Sequence, residues 1–189
     1  FLEDAMHQAL ENHEFVMYLQ PKYSISTCKM VGAEALVRWQ HPEKGLIPPN
    51  DFIPIFEENG FVIPLDEFMW EEACKLLAEW QRGGKEMLPI SVNVSRRHLI
   101  DDYFVEVLNH LIEKYQIPKH YLEIEITETE QSKMQERGIA LLKENGYTLL
   151  MDDFGSGYST LNMLKDTQFD VIKIDRVFLQ NFIASDRGQ

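Results

Sequence analysis

The chain has only two cysteines, Cys28 and Cys74, far apart and with no Cys-x-x-Cys spacing. That favours two reduced thiols over a disulfide framework or a zinc site. Basic residues are also scarce: 18 Lys and Arg stand against 31 Asp and Glu, for a formal net charge of −13. Such a surface does not grip duplex nucleic acid through its phosphates. It can still bind a small anion where carboxylates hold divalent cations, because the ions reverse the local field. No apolar run reaches the length of a membrane span, and Phe1 to His13 reads as an amphipathic helix rather than a secretion signal. A cytoplasmic location is expected, with any membrane anchor carried by other domains of a parent protein. Low-complexity and linker-like stretches are missing too, and the six histidines show no ligand spacing.

What is present is an ordinary globular composition, 189 residues with 44% hydrophobic and 26% charged, enough for one domain with a substantial core. The first residue is Phe1 rather than Met, so the chain is expected to be an excerpt from a longer multidomain protein. Phe15 to Lys22 and Met30 to Trp39 are apolar-rich runs separated by too few residues for a crossover helix, which predicts an antiparallel hairpin. A loop over His41 to Pro49 follows, then a short helix capped by Asn50 or Asp51 and stopped by Gly60. Helical spacing of Leu65, Phe68, Met69, Ala73, Leu76, Leu77 and Trp80 predicts a longer helix from Pro64 to Arg82, ended by Gly83-Gly84.

A regular βα alternation comes next. Strands are predicted over Pro89–Ser95, Tyr121–Thr127, Tyr147–Asp153 and Asp170–Asp175, with helices over Asp101–Gln116, Ser132–Asn145 and Ser159–Lys165. Parallel strands joined by helices build either a doubly wound sheet or a (β/α) barrel. In Ile90-Ser91-Val92-Asn93, Leu122-Glu123-Ile124-Glu125 and Ile172-Lys173-Ile174-Asp175 apolar and polar residues alternate. A doubly wound sheet buries apolar residues on both faces, so the alternation favours a barrel with polar groups turned inward near the carboxyl ends of its strands.

Those strand ends collect Gln20, Glu34, Asn93, Glu125, Asp152, Asp153 and Lys173. Each alone has a plain structural explanation: Glu34 as partner of Arg38, Asn93 bonded to backbone, Glu125 as a surface acid, Lys173 neutralising Asp175. Asp152 and Asp153 could be solvated loop acids. Taken together, carboxylates from three strands and an amide oxygen form an oxygen-rich set suited to Mg²⁺ or Mn²⁺ and poor for zinc. Two such ions would polarise a phosphoryl oxygen and lower the pKa of a bridging water for in-line attack on a phosphodiester. Asp152 is the natural bridge, Lys173 a holder of that water or of the leaving oxygen, and Arg38 a phosphate clamp.

The run Glu34-Ala35-Leu36-Val37-Arg38-Trp39 resembles the signature of the EAL domains, bacterial phosphodiesterases of cyclic di-GMP. The likeness continues through Gln20-Pro21, Ser91-Val92-Asn93-Val94-Ser95, Glu125-Ile126-Thr127-Glu128, Asp152-Asp153-Phe154-Gly155-Ser156-Gly157-Tyr158-Ser159 and Lys173-Ile174-Asp175. It implies a modified (β/α)8 TIM barrel with an antiparallel first strand, and Mg²⁺- or Mn²⁺-dependent hydrolysis of cyclic di-GMP to linear pGpG. Glu34, Asn93, Glu125 and Asp152 would hold the first metal and Asp152 and Asp153 the second, making Lys173, Glu34 and Asp152 catalytic, with Gln20 and Arg38 on substrate.

Only about six of the eight barrel strands fit in this chain, since such barrels typically take about 250 residues. Residues 1–189 are expected to be a single barrel domain cut short at its C-terminal end, missing two strands that bring a further glutamate and a glutamine. Thr129 to Gly138 is also a few residues short for the family. A homodimer through the Asp153–Leu161 loop and the following helix is expected from the resemblance. The alternatives are a catalytically inactive cyclic di-GMP receptor or, without the family, an unrelated Mg²⁺-dependent barrel acting on phosphorylated metabolites.

Overall fold

The structure is a computed structural model and describes residues 2–127, 133–155, 169–176 and 179–180. Helix α1 (Leu2–Glu11) leads into β1 (Phe15–Tyr23), and the chain returns as β2 (Met30–His41). The two strands are antiparallel as expected, with Phe15 opposite Trp39 and Gln20 opposite Glu34.

The expected loop over His41 to Pro49 is only partly a loop. It contains β3 (Gly45–Ile47), folded back antiparallel on the end of β2. The turn between them is closed by His41, whose Nδ1 accepts from the Glu43 and Lys44 amides at 3.1 and 3.3 Å. Three residues are too few to show a period, which hid this strand. Nor does Asn50 or Asp51 cap helix α2 (Pro49–Asn59): Pro48 takes the N-cap position without a side-chain bond, and Pro49 begins the helix. A proline at the first helical position has no N–H to leave unpaired and already has helical φ. Gly60 ends the helix in the left-handed conformation, φ 88°, as expected.

Helix α3 (Val62–Arg82) starts two residues before the predicted Pro64, and the βα alternation then runs as β4 (Ile90–Asn93), α4 (Tyr103–Tyr115), β5 (Leu122–Thr127), α5 (Lys133–Glu144), β6 (Leu149–Phe154) and β7 (Val171–Ile174). Helix α4 begins later than Asp101 because His98–Ile100 forms a separate 3-10 turn, after which Asp101 is extended. The helix expected over Ser159–Lys165 lies outside the described residues.

The sheet order is β1-β2-β4-β5-β6-β7, with β3 attached to β2. Every pairing from β2 through β7 along this path is parallel. The order never reverses, whereas a doubly wound sheet reverses at its switch point. The sheet therefore follows barrel topology, and the described residues form part of a TIM-barrel-like wall.

Alternation along the strands separates the two faces. Leu122, Ile124 and Ile126 bury outward with Leu108, Leu111 and Leu142 of the covering helices, while Glu125 turns to the interior. Burying one such aliphatic side chain contributes about 1.5–3 kcal/mol, so the outer face secures the strands that carry the acids. A second cluster packs Phe15, Trp39, Phe52, Phe56 and Phe61, with Phe56 and Phe61 centroids 4.8 Å apart, and fixes the β1–β2 ribbon against α2. Among the described residues no helix is long and apolar enough to cross a membrane.

Candidate functional site

Glu34 stands on β2, Glu125 on β5, Asp152 on β6 and Lys173 on β7. The sheet brings their side chains together. Lys173 Nζ lies 2.8 Å from Glu34 Oε2, 2.6 Å from Glu125 Oε2 and 3.0 Å from Asp152 Oδ1. One carboxylate oxygen from each of Glu34, Glu125 and Asp152 lies within 4.8 Å of the others. Three of the structural explanations open at the level of sequence thus fail. Glu34 pairs with Lys173 rather than Arg38, Lys173 serves this trio, and Glu125 is fully buried. Arg38 instead donates to the Val37 carbonyl and lies over the Tyr18 ring, 5.7 Å from its centroid.

The trio is short of positive charge. Burial pushes the Glu34 carboxyl above its ordinary range; the Lys173 hydrogen bond opposes this, and the nearby charges of Glu125 and Asp152 add to it. Burial would raise Glu125 as well, but hydrogen bonds from Lys173 and Ser91 and the charges of Lys173 and Lys22 outweigh it and hold Glu125 low. Burial alone would depress the Lys173 ammonium; its carboxylate partners reverse that and raise it well above the usual lysine value. An ammonium held by three carboxylates shows that this spot favours a cation. The ligand atoms are all oxygens, which fits Mg²⁺ or Mn²⁺.

Asn93 ends β4, in register with Glu125. Its position is set from behind: the Trp70 indole donates to the Asn93 carbonyl at 2.9 Å, and Asp66 accepts from the Ser95 amide at 3.0 Å. Asp153 neighbours the trio without joining it. Its φ of 55° is left-handed, a conformation that short polar side chains tolerate best. Burial, then the charges of Asp152 and Asp175, raises its carboxyl above the ordinary range.

Glu34, Arg38, Asn93, Asp152 and Asp153 line a cleft of about 470 Å³ whose apolar wall includes Ile53, Leu65 and Met69. Gln20 is exposed and faces Glu34 across the β1–β2 pair but does not line this cleft. The proposed dimer loop runs into residues 156–161, which lie outside the described residues together with the helix after it. One participant was missed from sequence: Lys22, whose Nζ reaches Ser91, Glu123 and Glu125 beneath the trio. The available signal was its place two residues beyond Gln20, on the same strand face.

A partial barrel with an acidic cluster at its strand ends, opening on a small-molecule-sized cleft, defines a class of α/β enzyme and binding domains. The particular family follows from comparison: the EAL domain model matches residues 3–189, and the chain belongs to the EAL family. The signaling protein YkoW of Bacillus subtilis is 35% identical over 182 residues, 95% of this chain and 23% of YkoW. The cyclic di-GMP phosphodiesterase NbdA of Pseudomonas aeruginosa is 34% identical over 189 residues, 98% of this chain and 24% of NbdA. The chain thus spans about a quarter of the length of these curated relatives. The solved PaMucR phosphodiesterase in complex with c-di-GMP is 31% identical with a TM-score of 0.88, over 98% of this chain and 76% of that one.

Proposed function

We propose that this domain hydrolyses cyclic di-GMP to linear pGpG in a divalent-metal-dependent reaction of bacterial second-messenger signalling. The observation that carries the reading is the convergence of Glu34, Glu125 and Asp152 on one cation position beside a cleft. A relative named as a cyclic di-GMP phosphodiesterase and a phosphodiesterase solved with c-di-GMP support the choice of substrate.

Glu34, Asn93, Glu125 and Asp152 would hold one Mg²⁺ or Mn²⁺, and Asp152 with Asp153 a second. When bound, such ions polarise phosphoryl oxygens and acidify water. The chain's own groups do the rest. The cleft volume lies within the roughly 300–1,000 Å³ range of small-molecule sites, and its apolar wall limits competing water. Arg38 supplies a fixed positive charge for a phosphate, and Gln20 an amide donor on the face of Glu34. Lys173, an ammonium on the three carboxylates while no ion is bound, would hold the attacking water once an ion takes over those carboxylates.

The test is turnover of cyclic di-GMP with Mg²⁺ by the full-length protein and by Glu34→Ala. Loss of pGpG formation in the variant is expected, and equal turnover refutes the assignment. Calorimetric binding without pGpG in Mn²⁺ would identify a receptor instead. Failure to bind cyclic di-GMP would bring forward a barrel acting on phosphorylated metabolites.

A further inference from the structure

Beneath the trio lies a second polar layer that the proposed chemistry does not use. Lys22 Nζ sits 2.8 Å from Ser91 Oγ, 3.3 Å from Glu123 Oε2 and 3.2 Å from Glu125 Oε1. Lys22 belongs to β1, whereas these partners belong to β4 and β5, to which β1 makes no strand pairing. The side chain therefore crosses the barrel interior. The register places Gly32 opposite Lys22 on β2.

Glu125 is divided between two ammonium groups: Lys22 takes Oε1, and Lys173 takes Oε2 at 2.6 Å. A glutamate has three side-chain torsions, which a single partner leaves partly free. Anchoring one oxygen from below leaves the other directed upward, at the position where Glu34 and Asp152 converge. We propose that Lys22 is a positioning residue that locks the Glu125 carboxylate so that Oε2 alone is presented to a divalent cation. Ser91 keeps the lysine itself in place, and Glu123 balances its charge. The inference rests on the metal-site reading above, because it assigns Lys22 a purpose only if Glu125 is a ligand.

Removing Lys22 alone would also make the site more negative, which by itself favours a cation, so a charge-neutral change is needed. In the intact protein, Lys22→Met combined with Glu123→Gln deletes one positive and one negative charge. After chelator stripping, Mn²⁺ alone is titrated by calorimetry into wild type and variant. The variant is expected to bind Mn²⁺ about 10- to 100-fold more weakly, the usual effect of deleting a group that orients a ligand. Unchanged affinity in a folded variant overturns the role of Lys22 while leaving the metal site intact. Wild type that takes up no Mn²⁺ overturns the metal-site reading itself. If that double variant does not fold by circular dichroism, Lys22→Gln combined with Glu123→Gln, equally charge-neutral and with an amide that can still bond Ser91, carries the same expectation and the same refutation.

Discussion

Replacing Lys173 by Met tests whether that ammonium stands where a divalent cation belongs. It removes the shared partner of Glu34, Glu125 and Asp152, all at 3.0 Å or less, and leaves three converging carboxylates, with Lys22 and Ser91 still on Glu125. Deleting one partner of a buried pair costs about 3–5 kcal/mol. Proton uptake limits the loss: a carboxyl with an ordinary pKa near 4.3 takes a proton at pH 7 for about 4 kcal/mol, and at pH 5.5 for less than half of that. The expected destabilisation is therefore about 3–4 kcal/mol at pH 7 and about 1.5 kcal/mol at pH 5.5. Urea unfolding in the presence of a chelator measures it. Repeating the titration with Mn²⁺ should recover most of the loss at pH 7, since the ion supplies the charge that the lysine supplied. The same deficit with and without Mn²⁺ would refute the idea that the two cations share one position.

Further predictions concern the groups that hold the site. Asp170 accepts from the Leu149 amide at 2.8 Å and from Lys143 at 2.7 Å; burial opposes them, yet together they hold its carboxyl below the ordinary range. Its stabilisation is present above the unfolded pKa, about 3.9, and is lost as pH falls through the lower folded value. The melting-temperature gap between wild type and Asp170→Asn should thus narrow from pH 7 toward pH 3; a gap independent of pH would refute the ion-pair account. Trp70→Phe removes the indole donor from the part-buried Asn93 carbonyl and should cost about 1 kcal/mol by urea titration, with weaker Mn²⁺ binding alongside. Gly32→Ala would bring a methyl to 2.9 Å from the Pro89 carbonyl oxygen, where β2 meets the start of β4. A loss of about 1–3 kcal/mol is expected, and unchanged stability by thermal melt would show that this backbone gives way freely.

Much of this domain was legible before any coordinates. The short link between Phe15–Tyr23 and Met30–His41 admits only an antiparallel pair, and period-two alternation in β5 already placed Glu123 and Glu125 on one face and Ile124 on the other. The βα rhythm and the residue types at the strand ends pointed to a barrel with an oxygen-ligand site, because both are properties of local sequence. Partnerships were not local. Glu34 and Lys173 are 139 residues apart, and only the stacking of successive parallel strands decides that this lysine, not the nearby Arg38, meets Glu34. The same holds for Glu125, which could be a surface acid until the sheet encloses it, and for Lys22, whose purpose depends on strands it never pairs with. Sequence determined which chemical groups lie on which face of each strand. Tertiary structure alone decided which of them share a charge, because register across a closing sheet is set by packing between segments that have no neighbourhood in the chain.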